Sequence, residues 1–402
     1  MMSKKLHIAI IAPPWLALPV KGYGGIEVVL EGLISGLQKL DVDVEVFGNG
    51  AQTIKGVKTH SIYKTEQFKH IHRPVYDSLP IKAAHLQYSL NYIKKDGTFD
   101  IIHDHNGYLG PLLFAWASAD PALPPIVHTL HGPPFAVPGA LEDSPHDPPC
   151  NYPYWSQMAE HMGRCYLIGI SDALIRPAPE ALRSHILKTV YNAVDVDRFP
   201  FVANKGRYFI TLARFSPDKG QHIAAKLAVK TRSRLRMAGT VAGIESNRKL
   251  LLEIANPLSS YRNMEEFRYY SDKILPYIIR YPRITYSGNL SGVKKNRFIS
   301  HAKALLFPID WEEPFGMAVI EALACGTPVI AMNRGAMPEI IQHGVNGFLA
   351  NDEKEFSEYM QRVDEIDPAV CRQSVIDKFS ADSMAEAYLE RYKEAIARDS
   401  TM

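Results

Sequence analysis

Residues 311–331 read WEEPFGMAVIEALACGTPVIA. Two acidic residues, Glu313 and Glu321, bracket a proline, a glycine and an apolar run. Pro314 biases Glu313 away from helical angles and itself suits a first helical turn. A helix is therefore expected to begin near Pro314 or Phe315, with Glu313 just outside it, Glu321 inside and Gly326 as its stop. On one helix the two carboxylates would stand roughly 12 Å apart and ~80° apart in direction, at ~1.5 Å per residue. That separation is too large for joint acid/base work on one atom, but it suits a clamp on two ends of a long ligand. The helix start between them offers unpaired N–H groups and a positive dipole end, which favour an anion. The same spacing also arises when two carboxylates merely cap and solvate a helix.

ARFSPDKG, residues 213–220, adds two cations. Arg214 is expected at the carboxyl end of a strand, and Lys219 after a tight turn beside the next helix start. Both then project where open α/β sheets bind ligands. Arginine engages phosphate oxygens bidentately and lysine adds a point charge; a solvated turn would carry the same residues. A ligand with hydroxyls at two places and negative charge in the middle fits this set, and a nucleotide-sugar has that layout. KGYGGIEVV, residues 21–29, leads into a helix, and Gly24 and Gly25 would let backbone amides approach a phosphate. It is not a dinucleotide fingerprint, because Glu27 stands where the third glycine belongs. HTLHG places His131 at a strand end facing a cleft, although a lone histidine is more often structural. In HDHNG, His103 and His105 alternate and so point the same way, but no further metal-ligand set is visible. There is no G-x-S-x-G, H-E-x-x-H or G-x-x-x-x-G-K-[ST]. Their absence favours transfer chemistry run by positioning.

The elements that must hold these groups alternate. LHIAIIA, VDVEVFG, DIIHDH, PIVHTLHG, YLIGIS and KTVYNAV read as strands, and GIEVVLEGLISGLQKL as a helix. After a pause near DVDRFPFVANKG the rhythm restarts with RYFITLARF, the helix QHIAAKLAVK, and the strands LRMAGT, RITYSGN, ALLFPI and TPVIAM. The reading is α/β, with two doubly wound parallel sheets in tandem. At 402 residues the chain is too long for one core. The domains are placed at 1–195 and 196–378, with a helical segment at 379–402. The prolines of residues 132–155 mark a long loop.

The chain is 46% hydrophobic and 22% charged, with a net charge of +2, which gives no mandate for nucleic acid. Basic runs such as RSRLR and KKNR could touch an anionic membrane, although each also suits a solvated surface. Four irregularly spaced cysteines, Cys150, Cys165, Cys325 and Cys371, fit a reduced cytoplasmic setting. The short N-terminal apolar run ends at Pro13 and Pro14 and reads as a strand, not a signal segment.

The order GYGGIE, TLHG, ARFSPDKG and EPFGMAVIEALACGTPVIA, followed by GAMPEIIQHGVNGFLA, resembles the retaining glycosyltransferases of family four. ALLFPIDWEEPFG and CRQSVIDKFS look closest to the avilamycin-type branch. The resemblance covers nearly the whole chain. It implies the GT-B fold: two Rossmann-like domains facing a central cleft, an acceptor domain first, a nucleotide-sugar donor domain second, and a last helix crossing back. It implies transfer of a sugar from a nucleoside diphosphate donor, such as a UDP- or GDP-sugar, to an acceptor hydroxyl with retention of configuration. The acceptor class stays open among saccharides, lipid-linked molecules and small molecules. By resemblance, Glu321 would bind the ribose hydroxyls. Glu313, with the amides of Phe315, Gly316 and Met317, would hold the donor sugar. Arg214 and Lys219 would neutralise the diphosphate, so no metal cofactor is called for; Gly24 and Gly25 would border the diphosphate, and His131 would contact the sugar near the reacting carbon. The leaving phosphate would help take the acceptor proton.

The chain departs from the family's pattern in places. Ala193 stands where glycine is usual, Arg334-Gly335-Ala336 replaces a commoner glycine pair, and residues 241–282 are longer and more charged. A sugar-nucleotide epimerase or phosphorylase, or a non-catalytic nucleotide-sugar-binding protein, would use the same scaffold. An NAD-dependent oxidoreductase is disfavoured by the broken glycine fingerprint.

Overall fold

The run LHIAIIA forms β1 (His7–Ile11), buried from Ile8 onward. An unbroken apolar strand is what a parallel sheet covered on both faces requires. In the computed structural model, which describes residues 5–20, 24–71, 75–135 and 151–400, β1 lies inside a seven-stranded sheet. Its other strands are β2 (Asp43–Asn49), β3 (Lys58–Tyr63), β4 (Ile101–Asp104), β5 (Ile126–Leu130), β6 (Cys165–Gly169) and β7 (Ile186–Leu187). Their order is β3-β2-β1-β4-β5-β6-β7, and every pairing is parallel. The order reverses between β1 and β4, so a crevice opens at their carboxyl ends. Ile11 O sits there, accepting from His105 N (3.1 Å) and Asn106 Nδ2 (3.1 Å).

The second sheet holds β8 (Tyr208–Leu212), β9 (Arg234–Ala238), β10 (Ile284–Tyr286), β11 (Ala304–Phe307), β12 (Val329–Met332) and β13 (Gly347–Ala350). Its order is β10-β9-β8-β11-β12-β13, again all parallel, with the reversal between β8 and β11. The chain thus divides into two compact units, Met1–Val194 with Ala381–Met402, and Asp195–Ser380. Each is a Rossmann-like α/β unit.

The last helix, Ala381–Asp399, belongs to the first unit. Tyr388 and Tyr392 are its buried anchors. Their hydroxyls meet Thr129 Oγ1 at 2.9 Å and His103 Nδ1 at 2.7 Å. The helix also presses on the first helix, Gly25–Lys39, at Gly36. A Cβ placed there would stand 2.6 Å from Ala385 Cβ and 2.7 Å from Ala381 O.

Some readings need correction. KTVYNAV is not a strand: β7 ends at Leu187, and Val190 N–H instead bonds Gly169 O (3.0 Å), past the end of the ladder. The helix of the EPFG motif begins at Met317, not at Pro314 or Phe315, because Gly316 has φ +95°, outside the helical region. The strands β3 and β13 were not anticipated; β3 is a largely exposed edge strand and β13 has four residues. The unassigned 241–282 stretch forms the helices Asn247–Ala255, Glu265–Tyr269 and Leu275–Arg280, with a π-helical turn between the last two. Among the described residues no helix is long and apolar enough to cross a membrane.

Gly36 yields a test. Gly36→Val forces two buried helices apart and should lower the stability of the first unit by about 1–3 kcal/mol, read as an earlier urea midpoint. An unchanged midpoint would mean that the helix contact is loose.

Candidate functional site

In the second unit the candidate residues gather at the carboxyl ends of β8, β11 and β12. After β8 the chain makes the 3-10 turn Pro217–Lys219 and ends it at Gly220, with φ +64°. A Cβ on Gly220 would lie 1.8 Å from Pro308 O, so only glycine lets this turn pass under the segment leaving β11. Asp310 N donates to Asp218 O (2.9 Å) and fixes the two segments together. Lys219 is thereby aimed at residues 311–313. Its Nζ donates to Glu313 Oε2 at 2.6 Å and stands 4.4 Å from the centre of the Trp311 ring. Trp311 Nε1 donates to the same Glu313 oxygen (2.9 Å). Both charged side chains are mostly buried, 13% exposed for Lys219 and 11% for Glu313.

The loop after β12 secures Glu313 from behind. Gly335 N donates to Glu312 Oε2 (2.7 Å), Ala336 N donates to Glu313 O (2.9 Å), and Arg334 pairs with Asp310 (2.8 Å). The unusual Arg334-Gly335-Ala336 sequence therefore builds a brace for the acidic segment. Glu313 lies outside the helix Met317–Ala324 and Glu321 inside it, as expected. Gly326, with φ +71°, follows the last turn. Phe315 is buried, and Gly316 and Met317 open the helix, whose first N–H groups have no intrahelical acceptor. Glu321 is 8% exposed, and its Oε1 accepts from Lys295 Nζ (2.7 Å). The two glutamates are thus held by different lysines. Arg214 is half exposed; its guanidinium pairs with Glu266 (2.8 Å) and lies 3.7 Å from Asp218. Sequence reasoning missed Trp311, Lys295 and Glu266. Trp311 was within reach, two positions before Glu313. Lys295 and Glu266 are distant in sequence; Lys295 was noticed only within the basic run KKNR, and nothing local tied either residue to the site.

In the first unit, Gly24 caps the helix Gly25–Lys39 in an extended conformation, and a Cβ there would meet Glu27 Oε2 and Val20 Cγ2, each at 2.8 Å. At Gly25 nothing lies within 4 Å of such a Cβ, so its approach is open. Residues 21–23 of that motif, and 136–150 of the proline-rich loop, lie outside the described residues. His131 follows β5 and accepts or donates through Nε2 to His105 Nδ1 (2.8 Å). It lines a cavity of about 150 Å³ with Tyr108, His128, Leu130, Pro133 and Trp155. Behind it, His128 Nδ1 meets Asp104 Oδ2 (2.6 Å), and His103 bridges Tyr392 and Thr129. His103 and His105 do share a side, with ring centres 4.0 Å apart. Both are engaged by protein partners, and among the described residues no group of three or more His, Cys, Asp or Glu could hold a metal ion. Burial pushes His131 down to about 3 and His85 to about 4, and drives His103 and His105 well below the ordinary value. Neighbouring imidazoles add to the effect at His103, His105 and His131.

Two Rossmann-like units, each with polar side chains at the carboxyl ends of its strands, define the GT-B class of fold. Residues 195–369 match the family described as Glycosyl transferases group 1, and residues 23–198 match Glycosyltransferase Family 4. With both units matched, the chain belongs to these glycosyltransferases. It is 23% identical over 416 residues to a D-inositol 3-phosphate glycosyltransferase of Streptomyces bingchenggensis, covering 93% of this chain and 85% of that protein. A match to spore coat protein SA of Bacillus subtilis is 33% identical over 71 residues, 18% of this chain, and spans 19% of that relative's length. Among solved structures, a glycosyltransferase involved in avilamycin A biosynthesis superposes with a TM-score of 0.63 at 18% identity, covering 98% of each chain. An Anabaena protein in complex with UDP and glucose superposes with the same score and identity, over 97% of this chain and 100% of that one. At these identities the two structures establish the shared fold.

His85, His103, His105 and His131 make the first unit acid-sensitive. Each stays neutral when folded and takes a proton near pH 6.5 once unfolded. Below that pH the unfolded chain binds more protons, so their contribution is full above pH 6.5 and is lost as the pH falls toward 4. The resistance of the first unit to urea should therefore fall steadily from pH 6.5 to 5. His85→Gln keeps a donor for Ala12 O and should flatten that slope by about 1 kcal/mol per pH unit. Equal slopes for the two proteins would sink the assignment.

Proposed function

We propose that the protein transfers a sugar from a nucleoside diphosphate donor to an acceptor hydroxyl with retention of configuration. The observation that carries this is Lys219, a largely buried ammonium at the topological reversal of the second sheet, bonded to Glu313 and faced by Trp311. In the proposed donor complex, the diphosphate takes Lys219 from Glu313. Glu313 is then left to accept from sugar hydroxyls, beside the amides of Phe315, Gly316 and Met317. Arg214, which is half exposed, exchanges Glu266 for phosphate oxygens. Glu321, whose other carboxylate oxygen is not used by Lys295, accepts from the ribose hydroxyls. The proposal further assigns Gly24 and Gly25 to the diphosphate and His131 to the donor sugar.

As the glycosidic bond breaks, negative charge gathers on the leaving diphosphate. Lys219 and Arg214 stabilise it there, more than they stabilise the intact donor. The acceptor hydroxyl oxygen bonds the reacting carbon on the face from which the diphosphate leaves, and the leaving phosphate oxygen, growing more basic, accepts its proton, which gives retention. Relatives support this reading: the Streptomyces relative is a glycosyltransferase and the Anabaena neighbour was solved with UDP and glucose. The motifs ALLFPIDWEEPFG and CRQSVIDKFS favour the avilamycin-type branch. Buried thiols at Cys165, Cys325 and Cys371 suit a reducing cytoplasm.

The test is a thermal-shift screen with UDP-, GDP-, ADP- and dTDP-sugars, in EDTA and again with magnesium. A ligand that binds only the native state at a hundred times its Kd adds about 2.7 kcal/mol. One nucleotide series should raise Tm and keep its effect in EDTA. Glu321→Ala and Lys219→Ala should each weaken binding about 10–100-fold, the worth of a charged hydrogen bond. No shift with any sugar nucleotide would overturn the proposal.

A further inference from the structure

His131 does not stand alone at the end of β5. Its Nε2 lies 2.8 Å from Nδ1 of His105, which is 1% exposed. Two neutral imidazoles at this distance share one proton: one nitrogen carries it and the other accepts. Which one carries it is decided further back. His105 Nε2 is buried and has no hydrogen-bond partner among the described residues. Were the His105 proton on Nε2, an N–H donor would be buried with nothing to receive it. Placed on Nδ1, it is used in the bond to His131, and only a bare acceptor lone pair goes unmatched. Buried orphan donors are the rarer and costlier of the two. His131 Nε2 is then the acceptor, and the proton of the neutral His131 ring must sit on Nδ1. No hydrogen bond engages His131 Nδ1 among the described residues.

We propose that His105 is a positioning residue that fixes neutral His131 as its Nδ1–H tautomer, so that His131 offers the site a hydrogen-bond donor and not a base. This rests on the reading of His131 as a sugar contact. Its chemical consequence is specific: His131 recognises a sugar oxygen as an acceptor, and the acceptor's proton must leave by another route.

The experiment is long-range proton–nitrogen correlation NMR on the full chain labelled with 15N-histidine, with His131 and His105 signals assigned by substitution. Nδ1 of both rings should appear protonated and Nε2 of both bare. A protonated Nε2 on His131 would overturn the proposal, whatever becomes of sugar transfer, because this readout needs no substrate. Kinetics with the nucleotide-sugar identified by the thermal screen supplies the second arm. His105→Leu should mix the His131 tautomers and lower kcat about tenfold, the loss of one hydrogen bond, with donor KM within about twofold. His105→Asn, whose amide N–H can replace Nδ1–H, should restore the single tautomer and most of kcat. Equal kcat for the Leu and Asn variants, both folded by circular dichroism, would remove the positioning role.

Discussion

The second unit is organised around a contact between unlike charges that water scarcely reaches. Lys219 and Glu313 meet at 2.6 Å with little exposure. Taking two ions out of water costs several kcal/mol each, and their attraction offsets that only when geometry is good and the remaining lone pairs and protons are used. Here they are used. Trp311 gives the same carboxylate oxygen its indole N–H and gives Lys219 its ring face. The surrounding backbone serves this contact: Gly220 lets the lysine turn pass beneath Pro308, Asp310 ties the turn down, and residues 334–336 brace the acidic segment. Such an arrangement is well suited to partner exchange. In the proposed donor complex a diphosphate would bring more negative charge than one carboxylate, and the lysine would not need to be dehydrated again to receive it.

The first unit solves a different problem. It carries a layer of imidazoles at the strand ends, four of them in His103, His105, His128 and His131, and burial holds three of these neutral. Two tyrosine hydroxyls from the last helix reach into that layer. The helix thus does more than cover a face of the sheet: it supplies partners for polar groups that would otherwise be buried unsatisfied. Among the described residues the buried His105 Nε2 is left without a hydrogen-bond partner.

Much of the fold was legible because its signals are local. Mostly apolar runs such as HIAII and IVHTL announce strands of a two-sided sheet, and the alternation of strands with helical periods announces parallel crossovers. Where the signal is weak, the reading failed for physical reasons. β3 is an exposed edge strand with little apolar pattern, and β7 has two residues. The start of the EPFG helix was misplaced because a left-handed glycine conformation leaves no mark beyond the glycine itself. The 241–282 stretch is made of short helices, the first capped by Ser246, which accepts from Lys249 N (3.4 Å), and it supplies Glu266, the partner of Arg214.

Candidate side chains were visible singly, and their chemistry was not. Sequence alone determined that Glu313 lies outside a helix and Glu321 inside it, that cations follow the first strand of the second unit, and that His131 ends a strand. These are consequences of proline, glycine and periodicity acting over a few residues. Tertiary structure decided who meets whom: Lys219 with Glu313 across 94 positions, Arg214 with Glu266 across 52, and His105 with His131 across 26. Charge pairing, tautomer and acidity depend on distance and on exclusion of water. Only the packed sheets, by bringing remote strand ends together, set either one.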